Sequence, residues 1–436
     1  MTQRLILFIV VVLIYGIIPI AQAHDEMPGT PQTKPIALVN ARIYTVTKGV
    51  IEGGTIVFDK GKITAIGKQV SVPSQAETID CSGKSIYPGF FAPYATTGLV
   101  EIELVRATRD QAETGTINPN AKAYTAFNPE SELIPTIRTN GILFANIAPQ
   151  GGIISGTASL MALDGWNKED MAIVPRSGIC VNFPNVGIIN AWWMNKPADV
   201  QRKENQESIE KLYALFDQAK MYSQMAQSGL ITEKDIRMEA MRPIFENGMN
   251  VFIDAGEYRQ LLEVIAFTKK FALKTVVVGA FDAWRCADEL RDAGIAVIIP
   301  RTHSLPARDE DGYDEQFLLP KKLAEKNVIF AFSDGGSWQQ RNVPFQAGTA
   351  VAFGLSEENA LKGLTIHPAT IFGVQNSLGS LEVGKDASLF VSTGNAIDGL
   401  TNNIELAFIQ GKKMSLENRH SRLAEKYRER YRRMKK

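Results

Sequence analysis

The chain has 436 residues, 45% hydrophobic and 22% charged, and its 47 Lys+Arg balance 47 Asp+Glu. That composition excludes a disordered chain and describes a globular protein with a substantial core; zero net charge offers no electrostatic reason to expect a nucleic-acid partner. Three scattered cysteines, Cys81, Cys180 and Cys286, exclude a disulfide framework and read as buried free thiols.

In chain order, Arg4 precedes an apolar run from Leu5 to Ile20, and Ala21-Gln22-Ala23 follows. This is the layout of a secretory signal over residues 1–23, cleaved after Ala23, with a retained anchor as the alternative. Either predicts export, to a periplasmic or cell-envelope location. Residues 24–35 read as a loose polar leader. From 36 to 87 the chain is strand-rich, and Asp59-Lys60-Gly61 predicts a hairpin turn between IVF and KITAIG. A similar texture returns at 376–413, so one small β domain built from both ends is expected.

Between 88 and 375 apolar runs alternate with helical segments. NVFIDAG (250–256), KTVVVGA (274–280), IAVIIP (295–300) and VIFAFSDGG (328–336) read as strands, with GILFANIAP (141–149) and GICVNFP (178–184) as earlier ones. The stretch after NVFIDAG reads as a helix with Leu261, Leu262, Ile265 and Ala266 at helical spacing. Unbroken apolar strands, each followed by a helix, predict parallel strands covered on both faces. About eight such units fit, which predicts an α/β fold: a distorted TIM-type β/α barrel, with an open doubly wound sheet as the alternative. No GxGxxG follows a strand, and neither a Walker A loop nor a GxSxG elbow is present.

In a β/α barrel the functional groups sit on the loops after the strands. That rule selects Tyr94 and Thr96, then Asp254 and Glu257, then Arg301 and His303, then Asp334. In PGFFAPYATTG (88–98), read as a strand, Ala92, Tyr94 and Thr96 share one face. After KTVVVGA, Gly279 and Ala280 offer no polar side chain. Each choice has a plainer reading: the aspartates as helix caps, Arg301 and His303 as a solvated loop, Tyr94 as a packed ring.

Five stretches together resemble the metal-dependent amidohydrolase superfamily, in particular its imidazolonepropionase-like branch. They are ALVNARIYTV with GGTIVFDKGKITAIGK, IYPGF, NVFIDAGEYRQLLEVIAF, SDGGS, and the closing GLTIHPATIFGVQNSLGSLEVGKDASLFV. The resemblance spans Ile36 to Gly411 and implies the barrel with its small β-sandwich domain. It also implies a zinc-type centre opened by a His-x-His pair, but Tyr94 and Thr96 stand at those two positions. The next histidine position aligns with Asp254 and the following one with Gly279 or Ala280; the aspartate after the last strand is retained as Asp334. The four histidines are His24, His303, His367 and His420.

Bound zinc lowers the pKa of water from about 15.7 to about 7, worth about 12 kcal/mol at about 1.4 kcal/mol per unit. Without imidazole ligands that route is lost. No metal site is therefore expected, and no cofactor. The first expectation is a non-catalytic homologue that binds a small molecule, a peptide or a partner chain. The alternatives are a C–N bond hydrolase with a rearranged site, using Asp334, Asp254 and His303 with Tyr94, Thr96, Arg301 and Glu257 around the substrate, and a structural subunit. A homo-oligomer or pairing with an active paralogue fits the last. In the tail, 414–436, residues 422–436 carry eight Lys/Arg and two Glu, with Leu423, Tyr427, Tyr431 and Met434 along one edge. A basic amphipathic helix of this kind is expected to be solvated or to touch an anionic membrane.

Overall fold

The computed structural model describes residues 27–190 and 193–434. The signal segment, His24 and Trp192 lie outside the described residues. The first strands are β1 (Ile36–Tyr44), β2 (Val50–Asp59), β3 (Lys62–Gly67), β4 (Glu77–Asp80) and β5 (Ser85–Pro88). Eight more follow: β6 (Phe90–Ala95), β7 (Ile142–Ile147), β8 (Ile154–Ala162), β9 (Ala172–Asn182), β10 (Asn250–Ala255), β11 (Thr275–Gly279), β12 (Ala296–Ile298) and β13 (Phe330–Ala331). The chain ends with β14 (Leu389–Ser392), β15 (Ile404–Ile409) and β16 (Lys412–Lys413), then a helix, Arg419–Met434.

Two sheets result. One runs β16-β15-β14-β5-β1-β2-β3, with β4 beside β1, and so joins both ends of the chain, as the two strand-rich segments imply. Its β2–β3 hairpin turns through Lys60 (φ 48°) and Gly61 (φ 78°), two left-handed residues in a row. Such a turn matches the right-handed twist of the flanking strands. The leader is not loose from Gly29 onward: Gln32 Nε2 donates to the Phe58 carbonyl at 3.2 Å, and its Oε1 accepts from Gly61 N at 2.8 Å.

The other sheet runs β13-β12-β11-β10-β9-β8-β7-β6 and nearly closes into a barrel. Its interior is aromatic and aliphatic: Phe91 packs on Phe144 with ring centroids 4.7 Å apart, and Phe252 on Phe372 at 6.1 Å. Burying each such ring contributes about 1.5–3 kcal/mol. The two sheets meet through a second aromatic group, in which Tyr87 stacks on Tyr44 (4.4 Å) and Phe90 meets Phe390 edge-on (4.9 Å).

One expectation fails. β8 runs antiparallel to both β7 and β9, whereas every strand was expected to be parallel. The reason is the connection: six residues separate Ile147 from Ile154, enough for a hairpin but too few for a crossover helix. Within helix Tyr258–Phe271 the buried stripe also differs. Leu261, Val264, Ile265, Phe267 and Phe271 are buried, while Leu262 and Ala266 are exposed.

Candidate functional site

The carboxyl ends of β6, β9, β10, β12 and β13 form the barrel mouth. β6 and β13 approach without pairing as strands, and two side chains with one backbone bond make the seam. Ser333 Oγ (3.3 Å) and Gln340 Nε2 (3.2 Å) both donate to the Tyr94 carbonyl, and Thr96 N donates to the Gly336 carbonyl at 3.0 Å. Thr96 therefore lies one residue past the end of β6, in the turn, and is buried. The alternation that places Tyr94 on the inner face stops before it.

Tyr94, Cys180 and Asp254 form one group. The Tyr94 ring packs on Phe252 at 6.2 Å, and its hydroxyl reaches Cys180 on β9. Burial, then the neighbouring Cys180 and Asp254, push the phenol well above the usual tyrosine range. Burial pushes the Cys180 thiol up to about 12. Both are protonated at neutral pH. Asp254 sits between Asn182 of β9 and Val278 of β11 in the ladder. Water reaches its carboxylate, yet the surrounding protein displaces enough solvation to raise its pKa, and no charged group adds to the shift. Gly279 (φ 87°) makes room for it, since a Cβ there would stand 3.3 Å from Asp254 Oδ1. Asp254 has no ion-pair partner among the described residues.

Asp334, Arg301 and His303 form the second group, organised by helix Val343–Ala352. Asp334 is buried. Arg301 Nε stands 3.0 Å from Asp334 Oδ1, and Gln346 Nε2 donates to Oδ2. Gln346 Oε1 also accepts from Thr302 N at 2.6 Å, fixing the loop that carries Arg301. One turn along the same helix, Thr349 Oγ1 donates to the Phe345 carbonyl and lies 2.6 Å from His303 Nε2. Burial, then Arg301, lower the His303 pKa, so the ring is neutral at pH 7. Burial raises Asp334 to about 6, with Arg301 and Gln346 pulling in the opposite direction. Neither aspartate figures among the causes of the other's shift.

Arg301, His303 and Asp334 are thus brought together, and Tyr94 with Asp254 forms a separate set. Glu257 is exposed at the start of helix Tyr258–Phe271, its Oε2 beside Gly187 on the rim. Gly279 and Ala280 carry no polar side chain after β11, but Asp282, two residues past Ala280, is buried there. It accepts from Tyr258 N at 3.0 Å, pairs in a fork with Arg308, and lies 3.4 Å from Arg285 Nε. Its carboxylate anchors the long loop between β12 and the next helix. The signal was the FDAW that directly follows the strand. Cys180 was also missed, because an apolar strand reading gives a thiol no reason to face Tyr94.

A zinc-type centre, which the resemblance implies, does not fit these side chains. Tyr94 is held as a neutral phenol, and Asp334 is covered by a guanidinium that would repel a dication. Asp254 is a single carboxylate whose charged form is already disfavoured. Among the described residues no three His, Cys, Asp or Glu side chains are gathered as a metal would need.

Comparison with known proteins bears on the whole architecture. The sequence model described as "Amidohydrolase family" matches residues 184–414, more than half of the chain. An imidazolonepropionase of Symbiobacterium thermophilum is 22% identical over 392 residues, covering 78% of this chain and 84% of its own. A solved amidohydrolase from Thermotoga maritima superposes with a TM-score of 0.75 at 22% identity, over 87% of this chain and 99% of that one. A Xaa-Pro dipeptidase with bound methionine gives 0.55 at 13% identity, over 88% and 100%.

Proposed function

The chain belongs to the amidohydrolase family, and from that premise we propose that it is an exported, metal-free member that binds a ligand at the barrel mouth rather than hydrolysing it. One observation carries the reading: Asp334, the carboxylate that the family pattern retains, is closed off by Arg301 and Gln346. A carboxylate committed to an ion pair is a poor base for water, and water of pKa about 15.7 needs a strong one or a metal. Asp254 supports the binding side of the proposal. Among the described residues it has no ion-pair partner; it is reached by water and flanked by the protonated Tyr94 hydroxyl, a pair suited to an amine or amide group of a small molecule or short peptide.

The test is elemental analysis of protein prepared without added metal, together with a chelator titration followed by thermal denaturation. Substoichiometric metal and an unchanged melting temperature are expected. Stoichiometric zinc, manganese or nickel would overturn the proposal. A second reading, a hydrolase with a rearranged site, draws on the raised pKa of Asp334, which lies near working pH. It predicts a C–N hydrolase activity that Asp334→Asn abolishes, and the first reading predicts none to abolish.

A further inference from the structure

The C-terminal helix Arg419–Met434 is sixteen residues long and buries none of them. Most of a helix's stability in a protein comes from packing its amphipathic face, and this one packs little. Asn418 caps it, its Oδ1 accepting from Ser421 N at 3.0 Å, and Arg422 ties its first turn to Glu132 (3.3 Å). Beyond that turn none of its residues is buried, although Leu423 and Tyr427 are each more than half covered. At 3.6 residues per turn, Leu423, Tyr427, Tyr431 and Met434 fall on one stripe. Their exposure rises along the helix from 39% to 69%. Arg430, Lys426 and Arg433 border the stripe on one side and Arg428 on the other. The two acidic residues, Glu425 and Glu429, lie on the opposite face, where they pair with Arg428, Arg432 and Arg433. An apolar stripe rimmed by cations, with anions turned away, is the arrangement of a helix that lies in the surface of an anionic bilayer. Tyrosines and long basic side chains suit that depth, with rings at the headgroups and charged ends reaching phosphates.

A second observation places this helix beside the N-terminal end of the described chain. Thr30 bridges to Lys413, a few residues before the helix begins, and Gly29 N is held by Asp164 Oδ2 at 3.1 Å. The described chain therefore begins at the edge where the basic helix leaves the fold. No helix among the described residues is long and apolar enough to cross a membrane, so contact by this part of the chain is peripheral.

We propose that helix Arg419–Met434 docks flat on an anionic phospholipid surface, its Leu423–Met434 stripe inserted and its basic border on the headgroups. Sedimentation of the full chain with vesicles tests it, comparing phosphatidylcholine alone with equal parts phosphatidylcholine and phosphatidylglycerol. Any contribution of the N-terminal apolar segment appears with both compositions and in every variant. The expected result is stronger binding to the mixed vesicles, weakened by salt. Lys426→Gln with Arg430→Gln, neither in an ion pair within the helix, should weaken that excess by about 25-fold, at about fivefold per charge. Tyr427→Ser with Tyr431→Ser should weaken it as well. Because the helix buries nothing, both double variants should keep the wild-type melting temperature. Equal binding to the two compositions, or an excess that neither variant changes, would overturn the proposal. So would variants that lose retention on heparin or DNA while binding vesicles as before, which would assign the basic face to a polyanion.

Discussion

Replacing Asp334 by asparagine should stabilise the protein at alkaline pH and leave it nearly unchanged in acid. In the fold the carboxyl titrates at about 6, against 3.8 as its ordinary value. A raised carboxyl pKa means that the folded state holds the proton more tightly than the unfolded chain does. Below pH 4 both states are protonated and the group adds no pH-dependent term. Between about 4 and 6 the folded state must either keep its proton or carry a desolvated charge, so stability falls as pH rises. Above 6 the whole penalty applies, about 3 kcal/mol at about 1.4 kcal/mol per unit. The Asp334 side chain is 4% exposed, so solvent screening reduces this little. Asparagine removes the titration and can keep an oxygen toward Gln346. Arg301, whose side chain is 49% exposed, can hydrate when its partner is gone. Urea unfolding of both proteins at pH 4 and pH 8 provides the comparison. The variant should gain up to about 3 kcal/mol relative to wild type on going from the lower to the higher pH. Equal destabilisation at both would refute the reasoning, since Asp334 and Arg301 would then be a net stabilising pair.

Two further predictions concern groups outside the mouth. Asp282 and Arg308 should be unequal when cut. Arg308→Met leaves a carboxylate whose side chain is 2% exposed with only Tyr258 N and the more distant Arg285, and should cost about 3 kcal/mol, whereas Asp282→Ala leaves a guanidinium that is 30% exposed and still paired with Asp311 and should cost less; urea midpoints rank them, and the reverse order would contradict the burial argument. Burial pushes Cys81 up to about 11 and both Cys180 and Cys286 up to about 12. All three thiols should therefore resist iodoacetamide at pH 8 in the folded protein and react in urea, as mass spectrometry would record; labelling of native Cys180 would place water where the barrel interior is described as closed.

What the sequence determined by itself is the part of the fold written in local patterns. Apolar runs without alternation are strands buried on both faces, and Lys60-Gly61 is a turn, whatever the rest of the chain does. The strand-rich ends pair because each alone leaves an apolar face uncovered. The strand-end rule singles out Asp254, Arg301, His303 and Asp334 from the sequence, because it counts only position after a strand; it carries no information on whether such a side chain faces water or, like Asp334, is covered. Tertiary structure alone decided how they group. Arg301 and Asp334 are 33 positions apart, and Gln346 joins them only because helix Val343–Ala352 lies against the loops that follow the last two strands. Cys180 meets Tyr94 across the barrel, and β8 reverses because its connection is too short for a helix. Residue spacing reports which face a side chain takes. Which charge is neutralised, and which carboxylate stays open to water, follows from desolvation and long-range contacts, and these exist only once the chain has closed.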